Sequence, residues 1–318
     1  MDRLSALYLW AGFIIVYSIR TPDTFLTTLT WKVTFAQGVV TAVVALAFLL
    51  PMVAGAFDLS VGAVFALSLV TTSWLAQNTD LPPAVGAMVA IGAGCLCGAV
   101  TGFIVVRLNV ESFIASLGIS QVLTAAVIYI SNNAPITDAF SDGYTSWGRR
   151  EVFGVPILIY YLVVIVAILW FVLEHTSVGR SMYATGGNPE AARLAGVRTD
   201  AMVWGSLIGA GFLAALAGVL YSMKSGTFSV SDGPGYLFPA ATAVLFGASQ
   251  LSRRPNVLGT MIALFALAFG IKGLQLLIPA GGYWIPPLFE GVALVLAVAL
   301  ASRTGKIGRK RASGRERA

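Results

Sequence analysis

Long apolar segments that carry almost no charge recur along the whole chain and limit what it can fold into. Taken between turn-forming residues, about ten such segments are found, near residues 4–19, 33–53, 57–76, 84–106, 112–131, 156–173, 201–222, 234–250, 256–278 and 284–302. Each is long enough to cross the roughly 30 Å hydrocarbon core of a bilayer as a helix. Only 11% of the residues are charged, against about 25% in soluble domains. The sequence therefore predicts an all-α, polytopic membrane protein with about ten transmembrane helices.

Basic residues indicate how such a protein is oriented. Ten spans place both termini on one side of the membrane, and that side holds fourteen of the 20 Lys and Arg residues. Half of the fourteen lie in the tail, residues 303–318. Cytoplasmic loops carry an excess of Lys and Arg. We therefore expect a transmembrane domain at 1–302 and a basic cytoplasmic tail at 303–318, in a multi-pass membrane protein with both termini in the cytoplasm. The tail is expected to be solvated rather than to bind nucleic acid.

One cytoplasmic loop carries a well-defined helix signal in the stretch "GGNPEAARLAGV". The two glycines are expected to break the chain, Asn188 is a good N-cap, and Pro189 suits the first helical position. Glu190 complements the positive end of the helix dipole, and Gly196 can end the helix. These signals predict a helix of about two turns at 188–196, too short to be stable alone. It must pack either on a partner protein or on its own neighbouring helices.

An acidic residue interrupts the apolar stretch "PMVAGAFDLSVGAVFAL". Placing the Asp58 carboxylate at bilayer depth costs about 2.5–3.5 kcal/mol on insertion scales. Pro51 and Gly55 are expected to break the helix before it. Asp58 then becomes the N-cap of the next helix and accepts a hydrogen bond from the backbone N–H of Ser60 or Val61. Direct contact between Asp58 and a solute remains the alternative, and a cap that also lines the pathway would satisfy both.

A second interrupted segment, "SDGPGYLFPAATAVLFG", occurs in the other half of the sequence. Discontinuous helices in transporters line solute pathways, so two such segments indicate a pathway. The candidate pathway residues are Asp58, Ser60, Phe238, Lys272 and Gln275. Lys272 and Glu290 are expected to pair across the last two spans, because isolated charges at depth are costly; the alternative is that Lys272 contacts solute.

Two further features leave alternatives open. Gly94, Gly98 and Gly102 recur at four-residue spacing, as do Gly205 and Gly209, which indicates either a tight helix–helix contact or chance in a Gly-rich chain. The polar loop at 131–155 either connects two spans or docks an extracytoplasmic partner. No phosphate-binding loop, Ser–His–Asp set or metal-ligand cluster is found, so we expect neither an enzyme nor a bound cofactor.

Four ordered motifs resemble those of ribose-type (monosaccharide) ABC importer permeases, within the superfamily of branched-chain amino acid and sugar permeases. "GGNPEAARLAGV" is similar to that family's G-G-N-x-x-A-A-x-x-x-G-[VI] segment, and "FDLSVGAVFAL" to its I-D-L-S-V-G segment. "RLNVESFIASLGISQVLTAAVIYIS" resembles V-P-P-F-I-x-T-L-G, with Glu111 and Ser112 replacing the prolines. "AALAGVLYSMKSGTFSVSDGPGYLFPAATAVLFGAS" resembles A-A-x-A-G … G-x-G-Y-E-L-x-A-I-A-A-V-x-I-G-G-x-S, with Phe238 at the usual Glu position.

This resemblance implies that residues 1–302 are the permease domain of an ATP-driven importer in the cell inner membrane, which carries a monosaccharide or similar small polar solute. Implied partners are an ATP-binding subunit, which binds the ATP, an extracytoplasmic solute-binding protein and a second permease chain, identical or different. The segment implied to couple to the ATPase contains Gly186, Gly187, Asn188, Pro189, Glu190, Ala191, Ala192, Leu194 and Gly196. The rival functions are a permease of the same superfamily for amino acids, urea or nucleosides, an ion-coupled secondary transporter, and a membrane scaffold.

Overall fold

Helices make up nearly all of the secondary structure. The computed structural model describes residues 5–137, 139–250, 254–278 and 282–296. The helices are α1 (Ser5–Arg20), α2 (Pro22–Phe25), α3 (Thr28–Val53), α4 (Val61–Asn78), α5 (Pro83–Arg107), α6 (Ser112–Ser131), α7 (Asp142–Arg149), α8 (Ile157–His175), α9 (Ser177–Gly187), α10 (Pro189–Leu194), α11 (Thr199–Ser225), α12 (Asp232–Gln250), α13 (Val257–Leu277) and α14 (Gly282–Leu296, which opens with a 3₁₀ turn). Strands β1 (Glu151–Val152) and β2 (Val155–Pro156) form one antiparallel hairpin. The expected all-α class is confirmed.

A helix overlaps each of the ten apolar segments that the sequence predicts. Among the described residues, six helices are long and apolar enough to cross a membrane: α3, α5, α6, α8, α11 and α13. The chain is therefore a polytopic helical membrane protein. The predicted tail at 303–318 lies outside the described residues.

The chain divides into two compact units. One, the central unit, is formed by residues 31–240; the other, the terminal unit, is formed by residues 1–30 and 241–318. In the terminal unit α1 packs on α13, where the Tyr17 ring covers Gly273 and the Phe13 ring covers Gly270. Trp10 lies against Phe269 with ring centroids 5.9 Å apart. Small residues on α13 thus accept the aromatic side chains of α1.

Three glycines on α5 allow that helix to touch α11 in the central unit. A Cβ atom on Gly94 would lie 2.5 Å from the Ala215 Cβ, and one on Gly98 would overlap the Leu207 carbonyl oxygen. Gly102 is covered by the Trp204 ring, whose Nε1 donates to the Ala99 carbonyl oxygen at 3.0 Å. The four-residue spacing on α5 is therefore a helix–helix contact of the small-residue kind.

The second glycine pair does not take part in the same way. Gly205 has no atom within 4 Å of where its Cβ would lie, and Gly209 meets only the Leu50 side chain. Gly211 is the α11 glycine that faces α5, since a Cβ there would overlap the Gly94 carbonyl oxygen. Of the two alternatives for the Gly205–Gly209 spacing, chance therefore fits this pair better than a tight helix–helix contact.

Helices α4 and α12 both begin deep between the other helices of the central unit. Val64, in the first turn of α4, lies 3.3 Å from the Cβ position of Gly94, and Gly94 stands near the middle of the 25-residue α5. At the start of α12, a Cβ on Gly233 would lie 2.6 Å from the Ala66 Cβ and 2.8 Å from the Gly62 carbonyl oxygen. The two helix beginnings therefore meet at the level of the middle of α5.

The loop between α6 and α8 is structured and contains α7 and the β1–β2 hairpin. Within it, α7 packs on α11, and the Arg149 guanidinium donates to the carbonyl oxygens of Lys224 and Ser225 at 2.8 and 2.6 Å. The Lys224 ammonium reaches the Ala36 carbonyl oxygen at 3.0 Å. The β1–β2 hairpin follows, with Phe153 at its tip in a left-handed conformation (φ 50°) and 97% exposed. We call this side of the central unit the α7 end.

Candidate functional site

The capped segment predicted from "GGNPEAARLAGV" forms a short helix, α10. The Asn188 side-chain oxygen accepts from the Ala191 N–H at 3.1 Å, and Pro189 occupies the first helical position. The helix ends after Leu194; Gly196 follows in the left-handed conformation (φ 85°), and its N–H donates to the Arg193 carbonyl oxygen at 3.0 Å. The sequence thus encodes both ends of this helix.

The helix proper is six residues long, and the expected range of about 188–196 covers it together with its N-cap and the glycine after its end. One detail of the prediction for this segment is wrong. Gly186 and Gly187 do not break the chain before it, because α9 runs through both and the break comes at Asn188, whose backbone is extended. Helix formation through two glycines costs roughly 1 kcal/mol for each relative to Ala, and the packing of Gly186 described below offsets part of that cost.

Helix α10 presents most of its surface to solvent. Ala192 is buried, whereas Leu194 is 91% exposed. Pro189, Glu190 and Ala191 are exposed as well. The exposed face of α10 is therefore free to contact another protein.

The end of α9 that leads into α10 is seated against the connection between α3 and α4. The Gly186 Cα lies 3.0 Å from the Cβ position of Gly55, which itself has φ 84°. A Cβ on Gly186 would overlap the Val53 carbonyl oxygen. Next along the chain, the Phe57 N–H donates to the Ser112 hydroxyl at 3.0 Å, which fixes the start of α6. We call this side of the central unit the α10 end.

Asp58 lies in that connection and is 1% exposed. Its Oδ1 accepts from the Ser60 backbone N–H at 2.9 Å and from the Ser60 hydroxyl at 2.5 Å. The expected bond to Ser60 is therefore present, but the N-cap of α4 is Ser60 itself rather than Asp58. Asp58 stabilises the turn that precedes the helix, and Ser60 uses its hydroxyl to satisfy the buried carboxylate instead of capping α4.

The other predicted pathway residues belong to different units. Phe238, in the first part of α12, is in the central unit and is 63% exposed. Lys272 and Gln275 lie on α13 in the terminal unit and are half-buried. The ion pairs found within the described ranges join Lys32 to Glu151 and Arg193 to Asp200. The expected pair between Lys272 and Glu290 is not formed, since both residues are described and their charged atoms do not come within 4.0 Å.

An open groove lies between α4, α5 and α6 in the central unit. Its volume is about 480 Å³, and it is lined by Thr71, Trp74, Leu75, Val89, Tyr129, Ile130 and Asn132. None of the predicted pathway residues lines it. Most of its surface is apolar, as expected for helices that face lipid or another membrane helix.

Sequence reasoning did not find a cluster of aromatic rings around Asp232 at the start of α12. The Asp232 carboxylate accepts from the Ser229 N–H at 2.9 Å and from the Tyr221 hydroxyl at 3.3 Å. The Tyr236 ring packs against both Phe65 and Tyr221, at centroid distances of 5.0 and 5.8 Å, and those two rings are 5.7 Å apart. We call Phe65, Tyr221, Asp232 and Tyr236 the mid-depth cluster. The only sequence signal for it was the Gly- and Pro-interrupted segment that begins at Asp232.

Comparison with known proteins assigns the family. A family model described as "Branched-chain amino acid transport system / permease component" matches residues 33–301. The chain belongs to this family. The permease is accordingly a membrane transport component and not an enzyme, and the family resemblance noted in its sequence is confirmed.

Several sugar importers are similar to the permease. The ribose import permease protein of Escherichia coli K12 is 31% identical over 267 residues, covering 82% of each chain. The fructose import permease protein of Rhizobium meliloti is 29% identical over 299 residues, covering 90% of the permease and 81% of that protein. The D-allose transport system permease protein of Escherichia coli K12 is 26% identical over 302 residues, covering 94% and 91%. No solved structure matches the permease significantly.

Proposed function

We propose that the permease is the membrane subunit of an ATP-binding-cassette importer that carries a monosaccharide into the cytoplasm. A separate ATPase subunit acts on α10 and drives the permease between its inward-open and outward-open states. ATP is bound by that subunit and not by this chain. The observation that carries the proposal is the exposed, capped α10, with Leu194 projecting into solvent and the preceding Gly186 seated on the α3–α4 connection.

The choice of solute class is supported by the relatives, which are named as ribose, fructose and D-allose permeases. Three different monosaccharides on one sequence framework favour a monosaccharide over the amino acids, urea and nucleosides that remain the rival solutes. An ion-coupled mechanism would leave α10 without a role, because such transporters need intramembrane ion sites and not a capped helix outside the membrane.

The complete assembly in this proposal has two permease chains, two ATP-binding subunits and an extracytoplasmic solute-binding protein. Each permease crosses the inner membrane ten times and keeps both termini in the cytoplasm. The α10 end then faces the cytoplasm and the α7 end faces outward, which agrees with the excess of Lys and Arg in the connections of the α10 end and in the tail.

Cross-linking at α10 tests the coupling proposal. Cys95 and Cys97 are first replaced by Ser, and Leu194→Cys is then introduced into the permease co-expressed with the ATPase encoded beside it. We expect a short cross-linker that reacts with the thiol at one end and is photoreactive at the other to join Leu194→Cys to the ATPase. Phe153→Cys is the matched control, because it is equally exposed but lies at the α7 end. A cross-link from Phe153→Cys, or none from Leu194→Cys, would contradict the proposed coupling.

Uptake measurements test the energy source and the solute. Proteoliposomes containing the assembled transporter should accumulate radiolabelled D-ribose, D-fructose or D-allose only with internal ATP and the binding protein. Accumulation that continues without ATP and stops with a proton or sodium ionophore would favour the ion-coupled rival. Stronger competition by an amino acid, urea or a nucleoside than by any of the three sugars would assign the permease to the other solute class.

A further inference from the structure

The mid-depth cluster has the composition of a binding site for a small polar molecule. Such sites combine aromatic walls with a few placed polar groups. Here Tyr221 and Tyr236 supply the aromatic surface. Their rings contact each other nearly edge to face, at an interplanar angle of 70°. The Asp232 carboxylate lies beside them, bonded to the Tyr221 hydroxyl. All three residues are only partly buried, so molecules from outside the fold can reach them.

The position of the cluster fits a solute pathway better than a connecting turn. After α11 ends at Ser225, the chain turns at Gly226 (φ 74°) and pairs through Phe228 with Ile136 at the α7 end. The chain then runs away from the α7 end until Gly233 contacts the first turns of α4. Asp232 therefore lies at the level of the middle of α5, and transporters bind solute near the membrane midplane where discontinuous helices begin.

The carboxylate has unused capacity to accept hydrogen bonds. Two carboxylate oxygens offer about four lone-pair positions, and the contacts of Asp232 with Ser229 and Tyr221 use two of them. No Lys or Arg in the described ranges lies within 4.0 Å of Asp232. An added hydrogen-bond donor would stabilise the Asp232 carboxylate, and two hydroxyl groups of a sugar would supply two such donors.

We propose that Asp232, Tyr221 and Tyr236 form a solute subsite within the permease, in which the carboxylate accepts from hydroxyl groups of a neutral monosaccharide while its C–H face rests on the tyrosine rings. This inference rests on the proposed function. It adds a binding site inside the membrane subunit, separate from α10 and from the groove between α4, α5 and α6.

Asp232→Asn is the most informative variant, because it separates this role from support of the turn. The Asn oxygen still accepts from the Ser229 N–H, so the turn ahead of α12 is kept. The amide nevertheless loses the charge-assisted bonds to sugar hydroxyls, which are stronger than neutral ones. The matched control is Asp142→Asn, the same change at the exposed first residue of α7.

The experiment uses the assembled transporter in proteoliposomes, with radiolabelled D-ribose, D-fructose and D-allose as probes and ATP hydrolysis as a second measurement. We expect Asp232→Asn to lower uptake of the transported sugar about tenfold or more, with ATP hydrolysis within about twofold of the unmodified protein. Asp142→Asn should change neither. Tyr221→Phe keeps the ring and removes one hydroxyl, so it should lower uptake less than Asp232→Asn.

The outcomes separate this inference from the proposed function. Unmodified transporter that imports a probe, with Asp232→Asn equally active, would overturn the subsite while leaving the proposed function in place. Equal loss of uptake and ATP hydrolysis in both Asp232→Asn and Tyr221→Phe would indicate a structural role and also overturn it. Stronger inhibition of uptake by cationic D-glucosamine than by unlabelled transported sugar would overturn the assignment to a neutral solute. An unmodified transporter that hydrolyses ATP but imports none of the probes would overturn the proposed function itself.

Discussion

Gly186 and Gly55 pack backbone to backbone, with the Gly186 Cα 3.0 Å from where a Cβ on Gly55 would lie. The contact joins the end of α9, which leads directly into α10, to the connection that holds Asp58 and starts α4. No side chain separates the two segments. In the proposed importer, this is where the cytoplasmic segment formed by α9 and α10 contacts the membrane helices.

Replacement of Gly186 should weaken that contact. A Cβ in Gly186→Ala would overlap the Val53 carbonyl oxygen and approach the Gly55 nitrogen at 2.9 Å, so the backbone must move. We expect a loss of about 1–3 kcal/mol in the free energy of unfolding, measured by thermal unfolding in detergent. Gly187→Ala is the control, because nothing lies within 4 Å of its Cβ position. Equal effects of the two changes would contradict the packing described here.

The α5–α11 contact should be similarly intolerant of added atoms. Gly98→Ala would place a methyl group against the Leu207 carbonyl oxygen and the Ile208 Cα, and we expect it to cost about 1–3 kcal/mol of stability. Gly92→Ala, on the same helix but with open space at its Cβ position, should be neutral or raise stability by up to about 1 kcal/mol, because Ala favours helix. Thermal unfolding of both purified variants compares them directly, and destabilisation by Gly92→Ala alone would exclude this arrangement.

Arg149 should stabilise the end of α11 through its two bonds to the carbonyl oxygens of Lys224 and Ser225. The last carbonyl groups of a helix have no partner within it, and a guanidinium there also complements the helix dipole. Arg149→Gln should therefore lower the free energy of unfolding by about 1–3 kcal/mol. Arg150→Gln is the control, since Arg150 only lies over the Trp147 ring at 5.9 Å. Protease cleavage within 131–155 offers a second measurement, which should accelerate only for Arg149→Gln.

Tyr144 should make stability depend on pH in the alkaline range. Burial raises the pKa of its phenol above the ordinary value of 10.0, and the hydroxyl is bonded to Ser222 at 2.9 Å. The unfolded chain thus loses this proton at lower pH than the folded protein, so stability falls as the pH rises above about 10. Tyr144→Phe should flatten part of that fall in melting temperature between about pH 9 and 11. A Tyr144→Phe profile identical to the original would refute this role.

The sequence was most informative where the determining interactions are local. Apolar runs locate the membrane helices because each run must satisfy its own backbone in lipid. The Asn188–Pro189 pair and Gly196 set the two ends of α10 through bonds within a few residues. Both kinds of signal depend on neighbours along the chain, and both were read correctly in outline.

Features that depend on distant residues could not be obtained in the same way. Whether Lys272 meets Glu290 depends on the relative rotation of two helices, which apolar composition does not specify, and the expected pair is absent. The mid-depth cluster requires Phe65 to meet Tyr236 across more than half of the sequence. Asp58 was assigned the cap that Ser60 occupies, because the exact first residue of α4 depends on how the preceding connection is packed.

Helix α11 spans the central unit without interruption, and this has a mechanical consequence. Its 27 residues form a rod about 40 Å long. Helix α11 starts just after α10. Its far end lies a few residues before Asp232 in the sequence, and there Arg149 donates hydrogen bonds to the carbonyl oxygens of Lys224 and Ser225. Since the backbones of α5 and α11 touch at Gly94, Gly98 and Gly211, the pair resists bending. A displacement of α10 at Leu194 would therefore move α11 as a whole. The far end of α11, where the chain turns back toward Asp232, would move with it.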